Sequence, residues 1–150
     1  MAARVIDGKA VAARIREGVA GEVAAMSEPP GLATILVGED PASEVYVRMK
    51  REDSAEVGIR SFHHEPGGEV SQQALLGLVE ELNGDDRVDG ILLQLPLPAH
   101  LDQDPLIAAI DPGKDVDGLT PINAGLLAQG RAEALVPCTP TGVMELLAEA

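Results

Sequence analysis

Three short segments carry polar side chains that could do chemistry, and the first of them holds Tyr46 and Lys50. These residues stand four apart in a stretch with helical patterning, so a helix would place both on one face, about 5–6 Å apart at their Cβ atoms. A lysine ammonium beside a phenol can serve as an acid or a base when partial burial disfavours the charge. Pairs at this spacing are also common on solvated helix surfaces, so geometry alone leaves a catalytic role and an ordinary surface role open.

The second segment centres on Gln94, a polar residue in an otherwise apolar run that Pro96 and Pro98 interrupt. Proline cannot donate to a sheet ladder, so we expect Gln94 at the carboxyl end of a strand. In open α/β sheets, ligands bind at that end of the strands. A buried amide must find hydrogen-bond partners, and the local backbone could supply them instead of a ligand.

The third segment places Asp115 and Asp117 two residues apart within a stretch of turn composition. In an extended strand this spacing puts both carboxylates on the same side. One carboxylate there could accept two parallel hydrogen bonds from a ligand edge that carries two donors. The alternative is an acidic turn whose aspartates cap backbone N–H groups. The spacing offers no octahedral set of oxygens, so we expect no metal at this segment.

The histidines and the cysteine are weaker candidates. His63 and His64 are adjacent, so a strand would point them to opposite faces, while His100 stands alone, and we expect none of them to bind a metal. Cys138 has no evident activating partner, and a single cysteine excludes an internal disulfide. The sequence contains neither a G-x-G-x-x-G nor a G-x-x-x-x-G-K-[ST] phosphate loop.

The elements that must position these side chains alternate between strands and helices. Apolar residues recur every fourth position in the first predicted helix, and short apolar runs predict buried strands. Asp40 is predicted to cap the second helix, and Gly58 to end it in a left-handed conformation. The predicted helices span residues 8–26, 41–57, 71–82, 104–110 and 141–150. The predicted strands span 32–37, 59–64 and 88–95, with a turn or short strand at 4–7 and an irregular stretch from 111 to 130.

This alternation predicts an α/β fold, a three-layer domain with a mainly parallel sheet flanked by helices. The chain has 150 residues, enough for one domain or for one and a short piece of a second. With no tryptophan, one tyrosine and one phenylalanine, its core must be aliphatic. The net charge of -14 argues against binding to nucleic acid or to an anionic membrane surface. No signal-peptide pattern and no long apolar window occur, so we expect a cytoplasmic protein.

In this order, the motifs resemble those of the bifunctional methylenetetrahydrofolate dehydrogenase/methenyltetrahydrofolate cyclohydrolase family of one-carbon metabolism. Six ordered blocks between residues 37 and 142 carry the resemblance, and the opening Asp7–Gly8 also fits. The blocks are Val37-Gly-Glu-Asp-Pro-Ala-Ser43 with Tyr46-Val47 and Lys50, Gly58-Ile59, Gln94-Leu-Pro-Leu-Pro98, Lys114-Asp-Val-Asp-Gly118, Asn123-Ala-Gly125 and Pro137-Cys-Thr-Pro140.

The resemblance implies a two-step reaction on a folate. The first step transfers a hydride from 5,10-methylenetetrahydrofolate to NADP, and the second hydrolyses the methenyl product to 10-formyltetrahydrofolate. Lys50 would be the catalytic lysine of the hydrolysis, and Gln94 would hydrogen-bond it and hold it in place. Tyr46 would line the folate pocket and help to place the reacting carbon.

The resemblance also implies the residues that hold the substrate and the cofactor. Asp117 is the favoured aspartate for the pterin edge, with Asp115 second. Leu93 and Leu95, on either side of the glutamine, would line the folate pocket, and Thr139 would contact the cofactor. No metal is expected.

The domain organisation follows from the same resemblance. Residues 1–140 would form the folate-binding catalytic domain, and 141–150 would begin a crossover helix into a Rossmann domain for NADP, whose glycine-rich loop is absent from these residues. A cytoplasmic homodimer serving purine, methionine and histidine biosynthesis is implied for the full-length form. A second reading, of another class, is an isolated folate-binding or structural module without turnover.

Overall fold

The computed structural model describes residues 5–38 and 41–150. Within these ranges it contains six helices and three strands. In chain order they are α1 (Gly8–Ala25), β1 (Gly31–Ile35), α2 (Pro41–Glu56), β2 (Arg60–His64), α3 (Gln72–Asn83), β3 (Gly90–Leu93), α4 (Gln103–Ala109), α5 (Pro121–Ala128) and α6 (Cys138–Ala148). The predicted α/β fold class is confirmed.

The three strands form one parallel sheet with β1 at its centre, in the order β2-β1-β3. Parallel neighbours need crossover connections, which α2 supplies between β1 and β2, and α3 between β2 and β3. The strands therefore all end at the same edge of the sheet. Because the chain first moves to one side of β1 and then returns to the other, the order reverses between β1 and β3.

The main core lies where one face of this sheet meets α3 and α4, and it is aliphatic as the composition predicts. Full burial of each large aliphatic side chain contributes roughly 1.5–3 kcal/mol. Phe62 packs against the edge of this core and is itself only partly buried. Its members from these elements are Ala33, Ile35, Ile91 and Leu93 from the sheet, Leu75, Val79 and Leu82 from α3, and Leu106 from α4. In the part of the chain described, no helix combines the length and apolarity that a membrane crossing requires.

The start of the chain differs from the prediction. Residues 5–7 form no strand; instead Asp7 caps α1, its carboxylate accepting from the backbone N–H groups of Lys9 and Ala10 at 3.1 Å. Arg4 and the predicted helix cap Asp40 lie outside the described residues. Gly58 has φ +85° after the end of α2, as predicted.

The stretch 111–130, predicted to be irregular, contains α5. Thr120 caps this helix by accepting from the backbone N–H of Asn123 at 3.3 Å, and Pro121 occupies its first position. This start signal is visible in the sequence, but the helix has eight mostly apolar or small residues, so no amphipathic period marks it.

Two further boundaries bear on the candidate site. β3 ends at Leu93, two residues before the predicted end, so Gln94 follows the strand directly and its backbone N–H donates to Ile35 O at 2.9 Å. α6 begins at Cys138 instead of residue 141. Pro140 is accommodated because it falls in the first turn, where its missing N–H breaks no helical hydrogen bond.

Candidate active site

A cleft of about 440 Å³ opens at the carboxyl end of β3, next to the point where the strand order reverses. This is the position at which open α/β sheets bind ligands. Its lining comes from α2, from the end of β3, from the turn at 114–118 and from the start of α6. The lining residues are Lys50, Leu93, Gln94, Leu95, Asp117, Leu119, Pro137, Cys138, Thr139 and Pro140. The fold thus brings together six of the residues predicted from the sequence: Lys50, Leu93, Gln94, Leu95, Asp117 and Thr139.

Lys50 and Gln94 contact each other across this cleft. The half-buried Lys50 Nζ donates to Gln94 Oε1 at 3.3 Å. The amide is fixed from its other end, because Gln94 Nε2 donates to the carbonyl of Leu95 at 2.7 Å. The local backbone therefore supplies a partner for the NH₂ group, as the second interpretation of the glutamine predicted, while the amide oxygen contacts the lysine.

Asp117 faces the same cleft with a carboxylate that accepts no hydrogen bond from the described residues. Burial raises the pKa of Asp117; the positive charge of Lys50 partly offsets this, and the negative charge of Asp115 adds to it. An ionised carboxylate in this position has unused acceptor capacity, which a ligand with two adjacent donors could satisfy.

Asp115 is used differently, although it is only two residues away. It is 2% exposed, and its carboxylate accepts from Leu119 N at 3.1 Å, Thr120 N at 2.8 Å and Asn123 Nδ2 at 3.0 Å. Burial alone would raise the pKa of Asp115, but the hydrogen bonds from Asn123, Thr120 and Leu119 together lower it. This aspartate caps the segment that leads into α5.

The extended strand that would place both aspartates on the same side does not continue here, because the chain turns: Gly118 N donates to Asp115 O at 3.2 Å, and Gly118 has φ +63°. Asp115 is held by hydrogen bonds in the interior, whereas Asp117 lines the cleft. Both residues still border one small cavity beside β3 and α4.

Gly118 also explains how the far wall of the cleft comes close to Asp117. A Cβ on this residue would lie 2.4 Å from Leu135 O and 2.9 Å from Pro137 N, so a side chain has no room there. The turn thus packs backbone against backbone on the segment that leads into α6. That segment delivers Cys138 and Thr139 to the cleft.

Tyr46 lies one turn before Lys50 on α2, as the spacing predicts, but it is 61% exposed and does not line the cleft. Sequence reasoning did not assign Leu119, Pro137, Cys138 or Pro140 to the site, although the last three belong to a motif it had singled out. Partial burial and the charge of Asp117 raise the pKa of the Cys138 thiol. The thiol donates to Val116 O at 3.3 Å, which joins the start of α6 to the turn at 114–118.

A second cleft, of about 740 Å³, opens on the adjacent side of α2 toward the loop at 65–69. It contains none of the predicted catalytic or binding residues. Its charged lining comprises Glu44, Arg48 and Arg51 from α2, and Glu65 and Glu69 from the loop. The side chain of His63 also lines it and contacts Glu65.

Comparison with known proteins identifies the family to which this chain is similar. The family model for the tetrahydrofolate dehydrogenase/cyclohydrolase catalytic domain matches residues 6–117. The bifunctional protein FolD of Sorangium cellulosum is 54% identical over 154 residues, covering 100% of this chain and 54% of the relative. A FolD protein of Ruegeria pomeroyi is 55% identical, covering 98% and 51%. This chain spans about half the length of the curated relatives it matches.

Solved structures give the same result. The FolD methylenetetrahydrofolate dehydrogenase/cyclohydrolase of Campylobacter jejuni superimposes with a TM-score of 0.94 at 42% identity, covering 99% of this chain and 54% of that one. The FolD enzyme of Trypanosoma brucei, solved with NADP and an inhibitor, gives a TM-score of 0.92 at 43% identity, covering 97% and 51%. Sequence and structure together show that this chain belongs to the tetrahydrofolate dehydrogenase/cyclohydrolase family.

Proposed function

We propose that this chain is the folate-binding catalytic part of an enzyme that oxidises 5,10-methylenetetrahydrofolate with NADP and hydrolyses the methenyl product to 10-formyltetrahydrofolate. The observation that carries the proposal is the contact of Lys50 Nζ with Gln94 Oε1 at 3.3 Å, in a cleft that also holds Asp117. Family membership supports the substrate class.

Hydrolysis of the methenyl group requires two proton movements. Water adds to the methenyl carbon and loses one proton, and the carbon–N5 bond then breaks as the remaining hydroxyl proton passes to N5 and the formyl carbonyl forms. Lys50 Nζ is the group placed to accept the first proton and to relay the second. General acid–base groups of this kind contribute about 10²–10⁴-fold to a rate.

Gln94 suits this role because its amide is neutral. A carboxylate at the same distance would hold the lysine in its charged form, whereas an amide oxygen orients the amine without adding a negative charge. Since the amide is itself anchored to the backbone of Leu95, the lysine has one preferred direction.

Asp117 would fix the pterin end of the substrate. The pterin presents an amino group beside a ring N–H, and a carboxylate can accept from both in parallel. Tyr46, exposed one turn away on α2, would cover the bound ligand with the face of its ring. Asp115 already receives three hydrogen bonds, which argues for Asp117 as the ligand contact.

These 150 residues contain no glycine-rich loop of either phosphate-binding type, and Thr139 in the cleft wall is our candidate for a contact with NADP. NADP would accept the hydride of the first step. We assign its binding to a Rossmann domain beyond these residues, with 1–140 as the folate domain and 141–150 as the start of the connecting helix.

The location, assembly and metabolic role of the full-length protein are also proposed from family membership. The full-length protein would be a cytoplasmic homodimer that supplies one-carbon units for purine, methionine and histidine biosynthesis. The span of this chain, about half that of its relatives, is compatible with that arrangement.

The test is a time course of methenyltetrahydrofolate absorbance with this chain, with Lys50→Met and with Arg51→Met. We expect the chain to accelerate the loss of absorbance over buffer, and Lys50→Met to lower that acceleration at least about 100-fold. Arg51→Met is the matched control, because Arg51 is the next residue along α2 and lines the other cleft.

The three possible outcomes distinguish a hydrolytic enzyme, a binding module without turnover and a chain that does not bind folate. Acceleration that Lys50→Met removes and Arg51→Met leaves intact supports hydrolysis by this cleft. Ligand binding without acceleration identifies a folate-binding module that lacks turnover by itself. Absence of both binding and acceleration contradicts the folate assignment for this chain.

A further inference from the structure

One wall of the candidate active site is assembled from three segments that a single buried side chain connects. These segments are the turn at 114–118, the start of α5 and the stretch at 135–140. Asn123, in the first turn of α5, is 2% exposed and hydrogen-bonds to residues outside its own helix on both sides of it in sequence.

The amide of Asn123 uses all of its donors. Nδ2 donates to Asp115 Oδ2 at 3.0 Å and to Pro112 O at 2.9 Å, while Oδ1 accepts from Leu135 N at 3.3 Å. Among uncharged side chains, only an amide carries two N–H donors and an acceptor oxygen on one carbon, and asparagine is shorter than glutamine. The arrangement requires an amide, because a carboxylate would lose both donors and a leucine would lose all three bonds.

The turn that Asn123 holds is anchored at its other side to the strand that ends at Gln94. Ile91 N donates to Lys114 O at 2.7 Å, and Ile91 pairs with Asp115 in an isolated parallel bridge. The backbone of Asp115 is therefore held to β3, while its carboxylate is held to the start of α5. Asp117, two residues on, takes its position from this anchored turn.

We propose that Asn123 is a positioning residue, which acts through Asp115 to set the distance of Asp117 and of the 137–140 wall from Lys50. The proposal rests on the proposed function of the same cleft. It separates two parts of the site: Lys50 and Gln94 depend on α2 and β3, whereas Asp117 and Thr139 depend on Asn123.

The proposal predicts a specific kinetic pattern for Asn123→Asp. This change keeps the size of the side chain but sets a second carboxylate beside that of Asp115, so the turn should shift. We expect KM for methenyltetrahydrofolate to rise about 10- to 100-fold, because a displacement of about 1 Å can have effects of that order. The value of kcat should change less than about threefold, since the lysine and the glutamine keep their own supports.

Loss of stability alone gives a different pattern. If Asn123 only stabilised the fold, Asn123→Asp would lower the folded fraction, so that apparent kcat falls while KM stays the same. Gln72→Glu is the matched control, because the amide of Gln72 also exchanges two hydrogen bonds with backbone, to Asp102 O at 3.0 Å and from Asp102 N at 2.9 Å, away from the cleft. This control should leave KM unchanged.

The exchange Asp115→Asn with Asn123→Asp removes the repulsion between two carboxylates at the 3.0 Å contact, but it sets an NH₂ group against Thr120 N and a carboxylate against Pro112 O. We therefore expect the double variant to recover at most part of the affinity that Asn123→Asp loses. Dissociation constants for methenyltetrahydrofolate are measured alongside the rates. An unchanged KM and dissociation constant in Asn123→Asp would overturn the positioning role.

A wild-type chain that neither binds nor hydrolyses the folate would instead overturn the proposed function, and the positioning role with it. If the chain binds without turnover, the dissociation constant of each variant decides the question: a higher value in Asn123→Asp than in the wild type and in Gln72→Glu supports the role. Equal dissociation constants for the three chains contradict it.

Discussion

Two clefts flank α2, and the predicted site residues line the smaller of them. The cleft toward the 65–69 loop has a volume of about 740 Å³, against about 440 Å³ for the cleft at the end of β3. Both lie toward the carboxyl edge of the same sheet. They differ in how their polar groups are arranged.

In the larger cleft, charges of both signs are mixed at the surface. Arg48 and Arg51 share it with Glu44, Glu65 and Glu69, so the field that a ligand would meet largely cancels. In the smaller cleft, a lysine is held by a neutral amide, and a carboxylate that accepts no hydrogen bond from the described residues faces the same space. Converging polar groups with unused capacity, more than volume, distinguish a candidate active site.

The largest effect on the hydrolysis rate is expected from Gln94→Glu. This change places a carboxylate next to Lys50 Nζ, so that opposite charges meet as they do in the larger cleft, and the carboxylate favours the charged form of the lysine. We expect the hydrolysis rate at pH 7 to fall about 100-fold and the rate profile to move to higher pH. Rates measured from about pH 6 to 10 check this.

Gln94→Met is the control for this change, since it removes the hydrogen bond without adding charge. We expect a loss of about tenfold with little movement of the profile. Identical profiles for the two variants would show that the charge of the partner is immaterial.

An intermediate effect is expected from Asp117→Asn, which replaces a carboxylate with an amide of the same shape. The new NH₂ group opposes the two donors of the pterin edge, so folate affinity should fall about 10- to 100-fold.

The same substitution should raise the stability of the folded chain. Because burial raises the pKa of Asp117 in the folded state, the wild-type chain loses stability as pH rises through that value.

Denaturant unfolding at two pH values tests the stability half of this prediction. The asparagine variant should be more stable than the wild type at pH 7, and the difference should vanish below about pH 3, where the carboxyl is protonated in both states. A variant that is less stable at pH 7 would mean that Asp117 has a stabilising partner in the folded chain.

The smallest effect is expected in the larger cleft, from Arg48→Met. Arg48 is exposed on α2, so the free energy of unfolding should change by less than about 0.5 kcal/mol. The hydrolysis rate should stay within about twofold of the wild type. A large loss of folate affinity would place the ligand in the larger cleft and contradict the proposed site.

The sequence was sufficient to predict the alternation of strands and helices, because apolar periodicity and glycine or proline breaks mark every element except α5. It also predicted Gln94 at a strand end, since Pro96 and Pro98 prevent the ladder from continuing. The helix α5 escaped because its apolar residues show no period. A start signal at Thr120 and Pro121 was available but is weak by itself.

The geometry of the candidate site could be predicted only in part. The contact between Lys50 and Gln94 joins residues 44 apart, and the resemblance suggested it where spacing could not. The choice between Asp115 and Asp117 depends on a turn at Gly118, where a positive φ and a close approach to the backbone of Leu135 both require glycine. Such an approach between distant backbones leaves no pattern in a single sequence.

A titration of the ¹⁵N-labelled chain with methenyltetrahydrofolate, followed by backbone amide shifts, reports directly which cleft binds the folate. We expect the amides of Leu93, Gln94, Leu95, Gly118 and Thr139 to move, while those of Gly38, Gly67 and Gly68 in the larger cleft do not. Shifts confined to the three glycines would place the ligand in the larger cleft and contradict the proposed function.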